Sequence, residues 1–315
     1  MKKLNHCNRW SKLFGLSVIF CTVAFLFSSC MTMPKGRKVE ALSLLDNQSN
    51  LYFAVPNNVD NELIEKIISD NVSGLAKHEI ERIIARINTA YIGVNTTKKV
   101  FSSDAVQVAI DGNFPKKMIP KFLNKKNGWD VIMCSSCEAK KHPIYTKAVI
   151  PGSEDYISMS FPANNVACMG RSIEQMLGRY DTLSLPDFAD QVTAAEDSIM
   201  HTDEYFYNYL LEAKDEIRFF ANNPKSFLST ITGVNLDLKI VTVAGAIVKD
   251  DEDPEKYKVK FIFKFSNNKY LKAGRALLKL ALGMSNSEVE DGEDSELIVQ
   301  NVHINKEQIL KLINF

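Results

Sequence analysis

Cys134-Ser135-Ser136-Cys137 is the sharpest chemical feature of the chain, because two thiols at this spacing can form a disulfide or bind a metal. A thioredoxin-like pair needs a strand before it and a helix starting at it, since the helix N-terminus lowers the thiol pKa. A strand, Trp129 to Met133, does precede it. Glu138 to Pro143 leaves room for barely one helical turn, so the spacing points to a structural or incidental pair rather than to redox catalysis. A structural zinc site needs four ligands. Cys134, Cys137, His142 and the distant Cys168 supply them on paper, but not at the spacing of a zinc ribbon.

Two acidic runs, Asp250 to Asp253 and Glu288 to Glu296, carry the oxygens calcium prefers, and Gly292 lies in the second. Neither fits an EF-hand loop, and both fall where solvated loops are expected. The spacing of Phe114, Met118, Ile119, Phe122 and Leu123 predicts an amphipathic helix from Phe114 to Lys125, and Lys116, Lys117, Lys121, Lys125 and Lys126 give it a basic face, suited to solvent or to anionic headgroups. The serine-elbow, metalloprotease, P-loop and dinucleotide-binding patterns are absent from the sequence. His78, His142, His201 and His303 are isolated in it. No catalytic residue, cofactor or metal site is therefore assigned.

The amino end carries an address. Lys2, Lys3, Arg9 and Lys12 form a basic start with no acid, and an apolar run follows from Leu13 to Phe27. Fifteen residues are short of the roughly 20 a spanning helix needs. Ser28 and Ser29 then precede Cys30. Phe27-Ser28-Ser29-Cys30 resembles the lipobox of bacterial lipoproteins, in the relaxed form found in spirochaetes, with Phe27 where leucine is usual and Leu26 one place early. The resemblance covers about thirty residues. It implies cleavage before Cys30, a diacylglycerol thioether on its sulfur and acylation of the freed amine. Lipidated Cys30 would tie the protein to a membrane of the cell envelope. Met31, in place of an inner-membrane-retaining Asp, points to the outer membrane rather than the periplasmic face of the inner one.

The whole chain balances 38 basic against 38 acidic residues, and loss of the four basic signal residues leaves 34 against 38, a formal charge of −4. That balance argues against nucleic acid as a partner. If Cys30 is acylated, three thiols remain in the mature chain, enough for one internal disulfide and one leftover.

Residues 1–29 read as signal, 30–50 as a polar tether, 51–169 as a first α+β module, 170–215 as a helical bridge and 216–315 as a second module. Apolar runs at period two alternate with amphipathic stretches at helical spacing: Leu51 to Val55 before Leu63, Ile64, Ile67 and Ile68, and Ile217 to Ala221 before Phe227, Leu228 and Ile231. Both halves read strand, helix, strand, strand, helix, strand. The expected fold is thus α+β, with two related βαββαβ (ferredoxin-like) modules, mixed or antiparallel sheets and a duplicated origin. The function expected is binding or scaffolding at the envelope. An extracytoplasmic enzyme with an unrecognised site and a membrane-surface or host-facing interaction protein are the alternatives.

Overall fold

The computed structural model describes residues 38–71, 77–95, 106–134, 142–148, 156–185, 195–222, 224–232, 238–253, 255–281 and 288–313. In chain order the strands are β1 (Leu51–Pro56), β2 (Ile87–Val94), β3 (Val106–Gly112), β4 (Asp130–Met133), β5 (Pro143–Ala148), β6 (Tyr156–Ala163) and β7 (Val166–Gly170). They continue as β8 (Ile217–Asn222), β9 (Ile240–Lys249), β10 (Lys256–Phe265), β11 (Glu288–Asp291) and β12 (Glu296–Asn305). The helices are α1 (Asn61–Asn71), α2 (Lys77–Ile84), α3 (Ile119–Phe122), α4 (Glu174–Leu183), α5 (Glu204–Leu211), α6 (Lys225–Thr232), α7 (Asn268–Ala281) and α8 (Lys306–Ile313).

All twelve strands join one sheet in the order β11-β12-β10-β9-β8-β1-β2-β3-β7-β6-β5-β4. Every pairing is antiparallel. This overturns the two ferredoxin-like modules. A split βαβ unit brings its strands back in parallel through a single crossover helix. Here two helices, α1 and α2, lie between β1 and β2, and the two strands pair antiparallel, Leu51 opposite Val94. The halves do not close on themselves either, because β1 pairs with β8, Phe53 opposite Phe219. Strands and helices do alternate along both halves, but their order is not βαββαβ: two helices follow β1, and β11 precedes β12.

Side-chain alternation sorts the sheet into two apolar faces. Phe53, Phe219, Val243, Ile247, Phe261, Phe263 and Val299 point to one face, beneath Leu63 and Ile64 of α1, Ile80 and Ile84 of α2, Phe227 of α6, Leu271 and Leu278 of α7, and Ile309 of α8. Tyr52, Ala54, Tyr91, Ala109, Cys168 and Phe220 point to the other, beneath Met176 and Leu177 of α4 and Leu210 of α5. Along β10 that second face is largely solvated: Tyr257, Val259, Phe261, Phe263 and Phe265 are buried while Lys256, Lys260 and Lys264 are exposed. A half-solvated antiparallel sheet reads this way.

Three local expectations change. The fold begins near Val39 rather than Leu51, because Ala41–Leu44 form a 3-10 turn with Leu42 and Leu44 fully buried. Arg179 of α4 pins that turn, donating from Nε to the Leu44 carbonyl at 2.8 Å, from Nη2 to Gln107 Oε1 at 3.1 Å and from Nη1 to Asp197. The helix expected from Phe114 to Lys125 shrinks to Ile119–Phe122, with Pro120 in its first turn. The second acidic run is in part a strand, β11, and not only a loop.

Candidate functional site

Strand β4 closes one end of the sheet, and its construction is local. Asn124 caps the turn Lys125–Asn127 by accepting from the Lys126 and Asn127 amides at 3.0 and 3.2 Å. Gly128 takes a left-handed φ of 78° and redirects the chain. Trp129, 1 % exposed, then plugs into Leu123 and Tyr145, with the Lys147 ammonium 5.8 Å from its ring centroid. From this anchor β4 runs along β5, Asp130 opposite Thr146 and Met133 opposite Pro143, and the Cys134 amide donates to the His142 carbonyl at 2.9 Å.

Among the described residues nothing pairs with the outer side of β4. Val131, Ile132 and Met133 are 52, 50 and 51 % exposed. Val131 is opposite Tyr145 and Ile132 opposite Ile144, so the three side chains alternate between the two faces of the sheet. Lys116, Lys117, Lys121, Lys125 and Lys126 are exposed on the segment leading into β4, and Lys125 Nζ reaches Asp130 at 4.0 Å. The opposite edge differs in kind. There β11 presents exposed Glu288, Glu290 and Asp291. Charge on an edge discourages strand addition, whereas an apolar edge with free backbone groups invites it.

The predicted chemical residues fall as follows. Cys30 and Cys137 lie outside the described residues. Cys134 is buried and disulfide-bonded. Cys168 is a free thiol on β7, and burial pushes its pKa up to about 12 against a smaller pull from the Arg179 guanidinium. A thiol so placed is protonated at neutral pH and is not a nucleophile. His142 faces Asp181 of α4, Nε2 to Oδ1 at 2.8 Å, both buried, and Asp181 Oδ2 is satisfied by no hydrogen bond. Among the described residues no three His, Cys, Asp or Glu side chains are grouped to hold a metal ion.

The first acidic run is occupied by cations. Asp250 accepts from Lys258 at 2.9 Å and lies 3.2 Å from His303 Nε2, and Asp253 meets Lys256 at 2.8 Å. The Lys258 hydrogen bond, with the Glu252 amide beside it, holds the Asp250 carboxyl below the ordinary carboxylate value. In the second run Asp291 meets Arg275 at 2.6 Å. These carboxyls bind neighbouring side chains rather than converge on one point.

The β4 edge was not singled out from the sequence. Its apolar residues on both faces read like an interior strand, and only the strand order reveals that it is terminal.

Three solved structures share this fold, crystal forms I, III and IV of TP0453. Form I matches at 15 % identity and a TM-score of 0.63, covering 88 % of this chain and 98 % of that one. Form III matches at 16 % and 0.58, and form IV at 17 % and 0.55, with the same coverage. No curated protein sequence matches the chain. Residues 36–310 match the family described as "Outer membrane-associated lipoprotein TP0453". A match over most of the chain settles the family: the chain belongs to these outer membrane-associated lipoproteins and is a lipoprotein of the cell envelope.

Proposed function

We propose that the protein is a binding and scaffolding component rather than an enzyme, held at the outer membrane by acyl chains on Cys30 and engaging an extended polypeptide along β4. The exposed apolar edge carries this reading. Backbone N–H and C=O groups along an edge strand bind an added strand, and Val131, Ile132 and Met133 offer it apolar contacts on both faces. The buried polar groups support binding over catalysis because they tie segments together. Arg179 holds the 3-10 turn, His142 and Asp181 join α4 to β5, and Asp250 braces the β9–β10 hairpin.

A photoreactive benzoylphenylalanine at position 132, compared with one at Glu290 on β11, tests the proposal in intact envelopes. Polypeptide adducts from 132 and none from 290 are expected. Adducts equally abundant at both edges, or lipid adducts alone at 132, would overturn it.

A further inference from the structure

We infer that the polypeptide taken up along β4 is acidic, an extended segment whose short apolar run is flanked by carboxylates. The inference rests on the docking role proposed for β4 and names the chemistry of its partner.

The edge sets what the partner's backbone must do. The Cys134 amide donates to the His142 carbonyl at 2.9 Å, so these two residues form a hydrogen-bonded pair. Bonded and non-bonded pairs alternate along an antiparallel ladder, and Ile132 therefore also turns its N–H and C=O toward β5. Val131 and Met133 turn theirs outward. Pro143, which has no N–H to give, lies opposite Met133, in agreement with this alternation. An added strand thus meets two N–H and two C=O groups. Its side chains meet Val131 and Met133 on the face of Tyr145, and Ile132 on the face of Ile144. A lipid surface reaches one face of a sheet, so apolar residues on both faces favour a strand over lipid.

Charge sets the ends of the partner. Lys121, Lys125 and Lys126 are exposed just before β4, and Lys125 Nζ comes within 4.0 Å of Asp130, the first residue of the strand. Among the described residues Lys121 and Lys126 form no ion pair. Amide side chains hold this group in place. Asn124 Nδ2 donates to the Pro120 and Lys121 carbonyls at 3.2 and 2.8 Å, while its Oδ1 accepts from the Lys126 and Asn127 amides. Asn127 Nδ2 donates to the Phe122 carbonyl at 2.8 Å. Cations on a fixed turn beside open backbone groups select a strand with carboxylates next to its apolar run. The sequence keeps the same sign after β4, with Lys140 and Lys141 before His142. Acids on both flanks suit either strand direction, because one flank always falls beside the Lys121 end.

The test uses the full acylated protein in phosphatidylcholine vesicles, which carry no net charge. The probe is a fluorescein-labelled peptide, Glu-Asp-Thr-Val-Ile-Val-Thr-Asp-Glu, beside versions with serine or lysine in place of its acids. Anisotropy titration should show the acidic peptide binding about tenfold tighter than the serine version, through several exposed ion pairs acting together. Salt raised from about 0.05 to 0.5 M should close that gap. Lys121→Glu with Lys125→Glu and Lys126→Glu should invert the preference, so that the lysine peptide binds best. A misfolded variant would gain no such preference. Met133→Pro removes an outward N–H and keeps the bonds to β5, as an edge strand allows. It should abolish binding of the peptides with the thermal midpoint unchanged.

Acidic and serine peptides bound equally, and both lost in Met133→Pro, would overturn the acidic partner and leave the docking role of β4 standing. Acidic-peptide binding that survives Met133→Pro, and that yields when phosphatidylglycerol is added to the vesicles, would assign the lysines to lipid headgroups and overturn the inference. No binding of any peptide would overturn it too, and polypeptide adducts from position 132 in envelopes would then keep the docking role of β4 on its own.

Discussion

Asp60 and Tyr257, 197 positions apart, meet at 2.6 Å in the core, where the tyrosine hydroxyl donates to Asp60 Oδ2. The same carboxyl caps α1, its Oδ1 accepting from the Glu62 and Leu63 amides at 2.9 and 3.1 Å, and Lys249 Nζ lies 3.3 Å away. Burial raises the Asp60 pKa, but the Tyr257 hydroxyl, the Leu63 amide and Lys249 together outweigh it, and the net value falls below 3.8. A carboxyl with a depressed folded pKa stabilises the fold above its unfolded pKa and loses that stabilisation as pH falls through the folded value. Denaturant midpoints should therefore drop below about pH 4 in the natural protein, and by less in Asp60→Asn. At pH 7 Asp60→Ala should cost about 2–4 kcal/mol, from a lost cap and an unsatisfied Tyr257 hydroxyl. Equal acid sensitivity in both proteins would show that Asp60 is not the group involved.

That contact also shows where sequence reading stops. The alternation of β10, with Tyr257, Val259, Phe261 and Phe263 inward and lysines outward, is local and was legible. The lipobox at Cys30 is equally local. The meeting of Tyr257 with Asp60 is not, because it depends on β8 pairing with β1, and no run of residues encodes which distant strand becomes a neighbour. The candidate site has the same history. Cys134-Ser135-Ser136-Cys137 drew attention as a motif, while the residues just before it, Val131 to Met133, matter through their place at the end of the sheet. Strand β7 (Val166–Gly170) was missed outright, a five-residue run whose small apolar residues carry little periodic signal.

The pair His142 and Asp181 makes a sharper stability prediction. Both are buried, and Asp181 Oδ2 is already without a hydrogen bond. His142→Ala would leave both Asp181 oxygens unsatisfied in the core, at a cost of about 3 kcal/mol. Replacing the pair with apolar groups, as in His142→Ala with Asp181→Leu, should recover much of that loss. Chemical denaturation of the two single variants and the double gives the coupling directly. Additive losses would mean that the two side chains act independently.

Two glycines are expected to respond in opposite directions. A Cβ on Gly245 of β9 would come within 2.1 Å of the Lys260 carbonyl oxygen and 2.5 Å of Phe219 Cζ. Backbone on one side and a packed ring on the other leave no room, so Gly245→Ala should destabilise by about 3 kcal/mol or prevent folding. A Cβ on Gly178 in α4 meets nothing within 4 Å. Gly178→Ala should stabilise by about 0.5–1 kcal/mol, because alanine loses less backbone freedom in a helix. Thermal melting of the two variants separates the effects, and a stabilised Gly245→Ala would contradict the close packing of β8, β9 and β10.

The proposed anchor at Cys30 carries the last prediction. One acyl chain gives only marginal, reversible membrane binding, and each buried CH2 adds about 0.8 kcal/mol, so stable retention requires two or more chains. Mass spectrometry of protein extracted from membranes should find an amino terminus at Cys30 bearing a diacylglycerol thioether. Cys30→Ser removes the sulfur that takes the lipid and should shift the protein out of the outer-membrane fraction. An intact Met1 terminus, or an unmodified Cys30 in protein that stays with the membrane, would rule out this anchor. If Cys30→Ser protein also stays bound after a high-salt wash, the folded portion binds the membrane by itself, and the lipid serves only to bring it there.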